Sequence, residues 1–220
     1  MIVACVLKTG GWRNRSFRVE YTPAHVVWMR DMIAQSVSIP YEFVCLTDVE
    51  GIPGVRCIPL RNDWPGWWGK IELFRPDLFT VGPHFYLDLD TVLTGNIDHI
   101  LSHAHTFTVL RNMSSPTTDR IGSGVMAWNE DLSKIYNDFK DDPERHMRRC
   151  QVSECWGDQG FIQPYARKRD RFQDLFTNQV VSFKTNLNHG DPAPENKIVC
   201  FHGLPKPQEV KRAWIPDFHP

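Results

Sequence analysis

The 220-residue sequence lacks several features that would place it in a specialised class of protein. It has no apolar run of membrane-spanning length, and its start lacks the basic segment and long apolar stretch of a signal peptide. A formal net charge of only -1 argues against a protein that binds nucleic acid through a basic surface. With 41% hydrophobic and 23% charged residues, the composition is that of a soluble globular protein, which we expect to be cytoplasmic.

The sequence also lacks internal repeats, low-complexity segments and any pair of cysteines at CxxC spacing. Four of its six cysteines lie within apolar, strand-like runs, where buried thiols in a reducing compartment are common. Cys150 and Cys155 are separated by four residues, which does not match a common zinc or redox motif. We therefore interpret all six cysteines as structural.

Hydrophobic periodicity predicts an α/β fold with a central parallel strand and helices packed on the sheet. The apolar run Ile2–Leu7 is typical of a central parallel strand. Thr22 and Pro23 form a helix start, and apolar residues at steps of three and four follow. A strand at residues 41–46 would complete a βαβ unit. Further strands are predicted at residues 55–58, 84–87, 106–110, 121–129, 180–183 and 198–201, and helices at 71–74, 96–101 and 131–139.

The most informative stretch is the strand that contains Phe85, Tyr86 and Leu87 and ends in two acids, Asp88 and Asp90. Side chains alternate along a strand, so the two carboxylates should converge while the leucine between them turns toward the core. Two adjacent anions are costly to desolvate unless a cation lies between them, and Mg²⁺ or Mn²⁺ is the natural choice. The alternative is that both acids simply end a strand and begin a turn.

Polar and small residues follow or precede several other predicted strands. Lys8, Thr9 and Gly10 come directly after the first strand, and Lys70 precedes the acidic strand. For Lys70, a solvated surface position is an equally good interpretation. Small residues enter a strand at 122–124, where they permit close approach of a ligand. Asp158 marks a helix start, where a simple cap is the alternative to a functional role.

Taken in order, these pieces resemble a nucleotide-sugar glycosyltransferase of the GT-A fold. The resemblance is to glycosyltransferase family 8, which includes glycogenin and bacterial lipooligosaccharide galactosyltransferases. The matching motifs span nearly the whole chain and are Lys8-Thr9-Gly10, Lys70, Asp88-Leu-Asp90, Gly122-Ser-Gly-Val-Met126, Asp158-Gln159 and His202-Gly-x-x-Lys206-Pro207. The resemblance implies an α/β fold with a mixed, mostly parallel, Rossmann-like central sheet flanked by helices. It also implies one domain over residues 1–220, with a nucleotide-binding half at 1–93 and an acceptor and sugar half at 94–220.

The resemblance also implies a role for each matching residue. Asp88 and Asp90 would hold Mn²⁺ or Mg²⁺, with His202 as a third ligand. The remaining residues would contact the donor, expected to be a UDP-sugar. Lys8, Thr9 and Gly10 would bind its nucleoside, Lys206 and the Gly203 backbone its diphosphate, and Lys70 and Asp158 its sugar, with Ser123 and Gly124 close by and Gln159 near the anomeric carbon.

The last segment departs from the family, because Gly203 and Lys206 follow His202 more closely than usual and Gln208 stands where tryptophan is expected. We therefore expect a metal-dependent glycosyltransferase, with retention of configuration implied by the resemblance. The acceptor would be a saccharide, a lipid-linked sugar or a protein. For the protein itself we expect no nucleic-acid partner and no transmembrane segment. Two alternatives stay open, namely a binding module for a nucleotide sugar or glycan that has lost catalysis, and a metal-dependent nucleotidyltransferase.

Overall fold

The computed structural model describes residues 1–10, 20–78, 82–115, 117–166 and 169–220. The strands in these residues are β1 (Ile2–Leu7), β2 (Glu42–Thr47), β3 (Arg56–Pro59), β4 (His84–Leu87), β5 (Thr91–Leu93), β6 (Phe107–Arg111), β7 (Ile121–Trp128), β8 (Gln151–Val152), β9 (Cys155–Trp156), β10 (Asp170–Arg171), β11 (Val180–Ser182) and β12 (Ile198–Cys200). The α-helices are α1 (Pro23–Ser36), α2 (Asp98–Leu101), α3 (Ser133–Asp141), α4 (Pro143–Arg149), α5 (Gly157–Ile162) and α6 (Phe172–Leu175). Gly66–Phe74 and Pro207–Glu209 are 3₁₀ helices.

A seven-stranded sheet in the order β10-β6-β7-β4-β1-β2-β3 forms the centre of the protein. β1 lies parallel to both β2 and β4, and α1 makes the crossover between β1 and β2. The predicted βαβ unit and the mixed, mostly parallel sheet are therefore confirmed. Only β7 runs antiparallel to its neighbours in this sheet, β4 and β6.

The two faces of the central sheet carry separate hydrophobic layers, as the alternation of side chains along a strand requires. On β4, Phe85 and Leu87 pack in one layer, whereas Tyr86 packs in the other. The first layer includes the buried face of α1, and the second includes the 3₁₀ helix at Gly66–Phe74 together with α3. Both faces of β4 are buried, which accounts for its apolar run Phe85, Tyr86 and Leu87.

A second sheet of three strands, in the order β11-β12-β5, brings the C-terminal part of the chain next to the acidic stretch. β12 pairs antiparallel with β5, which begins at Thr91, directly after Asp90. The backbone N–H of Phe201 donates to the carbonyl oxygen of Asp90 at 3.2 Å. The polar segment that begins at His202 is therefore held beside the two acids.

Several predicted elements differ from the structure in their limits. The predicted helix at 71–74 begins earlier, at Gly66, and is a 3₁₀ helix. The hairpin of β8 and β9, the short strand β10 and the helix α6 were not predicted, because elements of two to four residues show too little periodicity. In the described part of the chain, no helix is long and apolar enough to cross a membrane.

Candidate active site

A cavity of about 550 Å³ opens at the carboxyl ends of β1 and β4. In an open α/β sheet this is the edge at which ligands bind, because loops there diverge and leave a crevice. All predicted site residues except Thr9 and Gly10 line this cavity. They are Lys8, Lys70, Asp88, Asp90, Ser123, Gly124, Asp158, Gln159, His202, Gly203 and Lys206.

The two acids that follow β4 face the same cavity, as the alternation of side chains predicts. Leu89, between them, is 4% exposed and packs in the core. Gly124 allows Asp88 to approach β7, because a Cβ atom there would lie 3.1 Å from Asp88 Oδ2. The Asp88 backbone N–H also donates to the Gly124 carbonyl oxygen at 2.8 Å.

Lys70 is buried among acids and is not a surface residue. Its Nζ lies 2.9 Å from Asp158 Oδ2 and 3.1 Å from Asp88 Oδ1. Burial by itself lowers the pKa of this lysine, but the charges of Asp158 and Asp88 outweigh that effect and raise the pKa above its usual value. Lys70 is therefore fully charged at neutral pH and joins the strand end after β4 to α5.

Ser123 completes this buried group. Its Oγ donates to Asp158 Oδ2 at 2.6 Å and accepts from Lys70 Nζ at 3.2 Å. Asp158 lies in the first turn of α5, where a helix N-terminus favours a carboxylate. It is nevertheless more than a cap, because its side chain forms an ion pair inside the cavity wall.

Asp90 pairs with the second lysine of the site, Lys206, and accepts a hydrogen bond from the hydroxyl of Tyr21 at 3.1 Å. The Asp90 side chain is only 14% exposed. Burial and the negative charge of Asp88 raise the pKa of Asp90, whereas the positive charge of Lys206 lowers it. The net result is a raised pKa. Each of the two acids that follow β4 thus has a lysine from a distant part of the chain as its partner.

His202 lies in the cavity wall with both ring nitrogens in contact with serine hydroxyls. Its Nε2 lies 2.7 Å from Ser182 Oγ, and its Nδ1 lies 3.3 Å from Ser114 Oγ. Burial and the charges of Lys184 and Lys206 lower its pKa, so the imidazole is neutral at neutral pH. Among the described residues, no group of three or more His, Cys, Asp or Glu side chains is arranged to hold a metal ion.

Two of the three residues predicted at the nucleoside end, Lys8 and Thr9, bond to one acid, Asp48. Lys8 Nζ lies 2.6 Å from Asp48 Oδ2 and 2.9 Å from Asp63 Oδ1. The backbone N–H and the hydroxyl of Thr9 both donate to Asp48 at 2.9 Å. Of these residues only Lys8 lines the cavity, while Thr9 and Gly10 lie directly beyond it in the chain.

Lys184 is a cavity residue that the sequence analysis missed. A Cβ atom added at Gly203 would lie 3.1 Å from Lys184 Nζ, so this ammonium group lies against the His202 to Lys206 segment. Within the described residues, Lys8, Lys70 and Lys206 each pair with an aspartate, whereas no acidic side chain pairs with Lys184. Its position directly after the apolar run 180–183 was the signal that could have found it.

Comparison with protein-family models gives no match, and comparison with curated protein sequences gives none either. Comparison with solved structures gives clear matches to glycosyltransferases. The galactosyltransferase LgtC, solved with donor and acceptor sugar analogues, shares 12% identity at a TM-score of 0.64 over 94% of this chain and 89% of LgtC.

Two larger proteins have a similar structure. Glycosyltransferase GlyE of Streptococcus pneumoniae TIGR4 shares 13% identity at a TM-score of 0.62 over 93% of this chain, which spans 56% of GlyE. The bifunctional glycosyltransferase WbbM shares 12% identity at a TM-score of 0.56, and this chain spans 46% of it. The chain therefore has the GT-A fold that the sequence predicts, and the resemblance to family 8 is confirmed at the level of the fold.

Proposed function

We propose that this protein is a metal-dependent glycosyltransferase that moves a sugar from a nucleoside-diphosphate sugar, with UDP as the expected nucleotide, to a saccharide, lipid-linked or protein acceptor. The observation that carries the proposal is the cavity at the carboxyl ends of β1 and β4, where Asp88, Asp90, Lys70 and Asp158 converge. Its 550 Å³ lies within the range of cavities that bind small molecules.

The donor chemistry fits the distribution of charge in this cavity. A diphosphate needs cations, and the wall near Gly203 offers Lys184, which has no acidic partner among the described residues, together with Lys206. The hydroxyls of a donor sugar need partners that accept hydrogen bonds from them and partners that donate to them. Asp158, Lys70 and Ser123 supply both kinds of group. We therefore assign the diphosphate to the His202 side of the cavity and the sugar to the Asp158 side.

The proposed metal is Mn²⁺ or Mg²⁺, held by Asp88 and Asp90. Carboxylate oxygens suit both ions, and Mg²⁺ in particular keeps several water and phosphate ligands, so two protein carboxylates are enough. Asp90 would have to release Lys206, which is then free to bind phosphate. His202 could join as a third ligand only by giving up its contact with Ser182 or Ser114.

Rupture of the bond between sugar and diphosphate leaves negative charge on the phosphate and partial positive charge on the sugar. A bound divalent cation would neutralise part of the charge on the leaving phosphate. Lys184 and Lys206 favour the transition state in the same way, because that negative charge grows as the bond breaks. The Asp158 carboxylate, which Lys70 and Ser123 hold in one orientation, faces the electron-poor sugar.

Gln159 follows Asp158 in α5 and lines the cavity. One solved structure of LgtC is of an active-site mutant in which glutamine is replaced by glutamate. By analogy we place Gln159 near the anomeric carbon. Because a neutral amide is a poor covalent nucleophile, the retention that the family resemblance implies would follow from attack on the face from which the phosphate leaves.

A second candidate function is a nucleotide-sugar binding module without catalysis. The ion pair between Lys206 and Asp90 favours it, since a lysine neutralises the carboxylate that a metal would otherwise bind. This candidate keeps the donor subsites but needs no divalent cation.

Release of nucleoside diphosphate from a panel of nucleotide sugars, with and without Mn²⁺, separates these functions. A transferase would release UDP in the presence of Mn²⁺ and of a suitable acceptor, and the Asp90→Asn variant would lose turnover while it remains folded. The binding module would bind the donor without turnover. A nucleotidyltransferase, supplied instead with a nucleoside triphosphate and a sugar phosphate, would release pyrophosphate. Unchanged turnover in Asp90→Asn would overturn the proposed role of the two acids.

A further inference from the structure

Two cysteines outside the proposed donor site lie unusually close together. The Sγ atoms of Cys150 and Cys155 are 2.8 Å apart, which is shorter than ordinary contact between two non-bonded sulfur atoms. Cys150 directly precedes β8 and Cys155 begins β9, and the Gly157 backbone N–H donates to the Cys150 carbonyl oxygen at 2.8 Å. The backbone thus already holds the two thiols within reach of bond formation.

The two thiols differ in their access to solvent. Cys150 is 4% exposed, whereas Cys155 is partly exposed and directly follows residues 151–154, which are all exposed. Burial, reinforced by the adjacent Cys155, raises the pKa of the Cys150 thiol to about 12. A soluble disulfide reagent would therefore meet Cys155 first, and Cys150 is the buried thiol that follows.

The hairpin contacts two neighbouring parts of the protein, α5 and the segment before β7. Trp156 and Gly157, which follow Cys155 directly, line the cavity. A Cβ atom at Gly160 would lie 2.6 Å from the Cys155 carbonyl carbon, so α5 packs directly on the hairpin. On the other side, Arg120 Nη1 donates to the Ser153 carbonyl oxygen at 2.9 Å, which joins the hairpin to the segment before β7.

We propose that Cys150 and Cys155 form a redox-active dithiol that a small-molecule disulfide such as oxidised glutathione converts to an intramolecular disulfide. The Cys155 thiolate attacks one sulfur of the reagent, forms a mixed disulfide and expels one glutathione thiolate. Cys150 then loses its proton and attacks Cys155 Sγ, which expels the second glutathione thiolate. The two cysteine protons pass to the two glutathione thiolates, so the protein is oxidised by two electrons and the reagent is reduced by two.

The physical consequence is a fixed hairpin. A disulfide between Cys150 and Cys155 would close the loop and restrict its motion, and the arrangement that it fixes is the one in which Asp158 already pairs with Lys70. Oxidation should therefore hold Trp156 and Gly157 in their present positions against the cavity. Cys5 and Cys45 also lie side by side, but both are fully buried in the central sheet, and Cys200 is buried in β12, so a soluble disulfide reagent does not reach them.

The sequence supplies a direct assay. Cleavage after glutamate cuts at Glu144, Glu154 and Glu195, so that Cys150 and Cys155 fall in different peptides, 145–154 and 155–195. The full-length protein is incubated with oxidised glutathione, its free thiols are alkylated, and it is then digested and analysed by mass spectrometry. We expect the two peptides to remain joined until a reductant is added. In Cys155→Ser the two peptides should separate, whereas Cys57→Ser, which removes a partly buried thiol elsewhere, should leave them joined.

Hydrogen exchange gives a second measurement, which reports whether the disulfide fixes the hairpin. Oxidation should slow exchange of the Gly157 amide by about 40-fold, the factor that the loop-closure entropy of a loop of about six residues gives. Alkylation of all six cysteines after oxidation, or a stable mixed disulfide at Cys155, would overturn the proposal. No substrate is used in either measurement, so the result is independent of the proposed transferase activity.

Discussion

Replacement of Lys184 by glutamine tests whether this residue is a ligand-binding cation or a structural one. Lys184 has no acidic partner among the described residues, so its loss should change the free energy of unfolding by no more than about 0.5 kcal/mol. If it binds the donor diphosphate, one charge-assisted hydrogen bond worth about 1.5–3 kcal/mol is lost. That loss corresponds to a weaker affinity for UDP by about 10- to 150-fold.

Lys206→Met is the matched comparison, because Lys206 lies in the same cavity but neutralises Asp90. Their side chains are 11% and 14% exposed, so removal of the lysine leaves a shielded carboxylate without its partner. We expect a loss of about 3 kcal/mol of stability, the lower end of the range for broken buried pairs. Urea denaturation and calorimetric titration with UDP would measure both quantities in each variant. Equal destabilisation by the two substitutions, or unchanged UDP affinity in Lys184→Gln, would refute the reasoning.

Three further predictions follow from the same contacts. Lys70→Met should lower the free energy of unfolding by about 3–5 kcal/mol, because it leaves Asp88 and Asp158 without their cationic partner. In the same urea titration, Lys134→Met, which removes an exposed ion pair, should change the free energy of unfolding by less than about 1 kcal/mol. Tyr21→Phe removes the hydroxyl that donates to Asp90. The free energy of UDP binding, measured by calorimetric titration, should change by about 0.5–1.5 kcal/mol, and an unchanged value would contradict the prediction. Burial lowers the pKa of His25 to about 4, so stability should be complete above pH 6.5 and fall by up to about 3 kcal/mol as the pH drops toward 4. The His25→Asn variant should show a flatter profile in chemical denaturation at each pH, and the same slope in both proteins would contradict this.

The predictable parts of the fold are those with a strong period. The run Ile2–Leu7 and the helix start at Thr22 and Pro23 gave the βαβ unit, and the alternation around Leu89 placed Asp88 and Asp90 on one cavity. These inferences rest on local geometry, which a single sequence contains.

The less predictable parts depend on contacts between distant segments. The sequence alone left Lys70 with an equally good alternative as a surface lysine, because nothing near position 70 shows that Ser123 and Asp158 surround it. Lys184 was missed for the same reason, since its place beside Gly203 follows from the pairing of β11 with β12. The close approach of Cys150 and Cys155 depends on a hairpin whose strands have two residues each, too short to show alternation.

A thermal-shift screen of nucleoside diphosphates and nucleotide sugars, each with Mn²⁺, with Mg²⁺ and with a chelator, tests the central claim most directly. A ligand that binds only the native state at about 100 times its dissociation constant adds about 2.7 kcal/mol of stability. A donor site at Asp88 and Asp90 predicts stabilisation by one nucleotide family, with UDP compounds expected, that the chelator abolishes and that Asp90→Asn lacks. No stabilisation by any nucleotide under any of these conditions would contradict a donor site in this cavity.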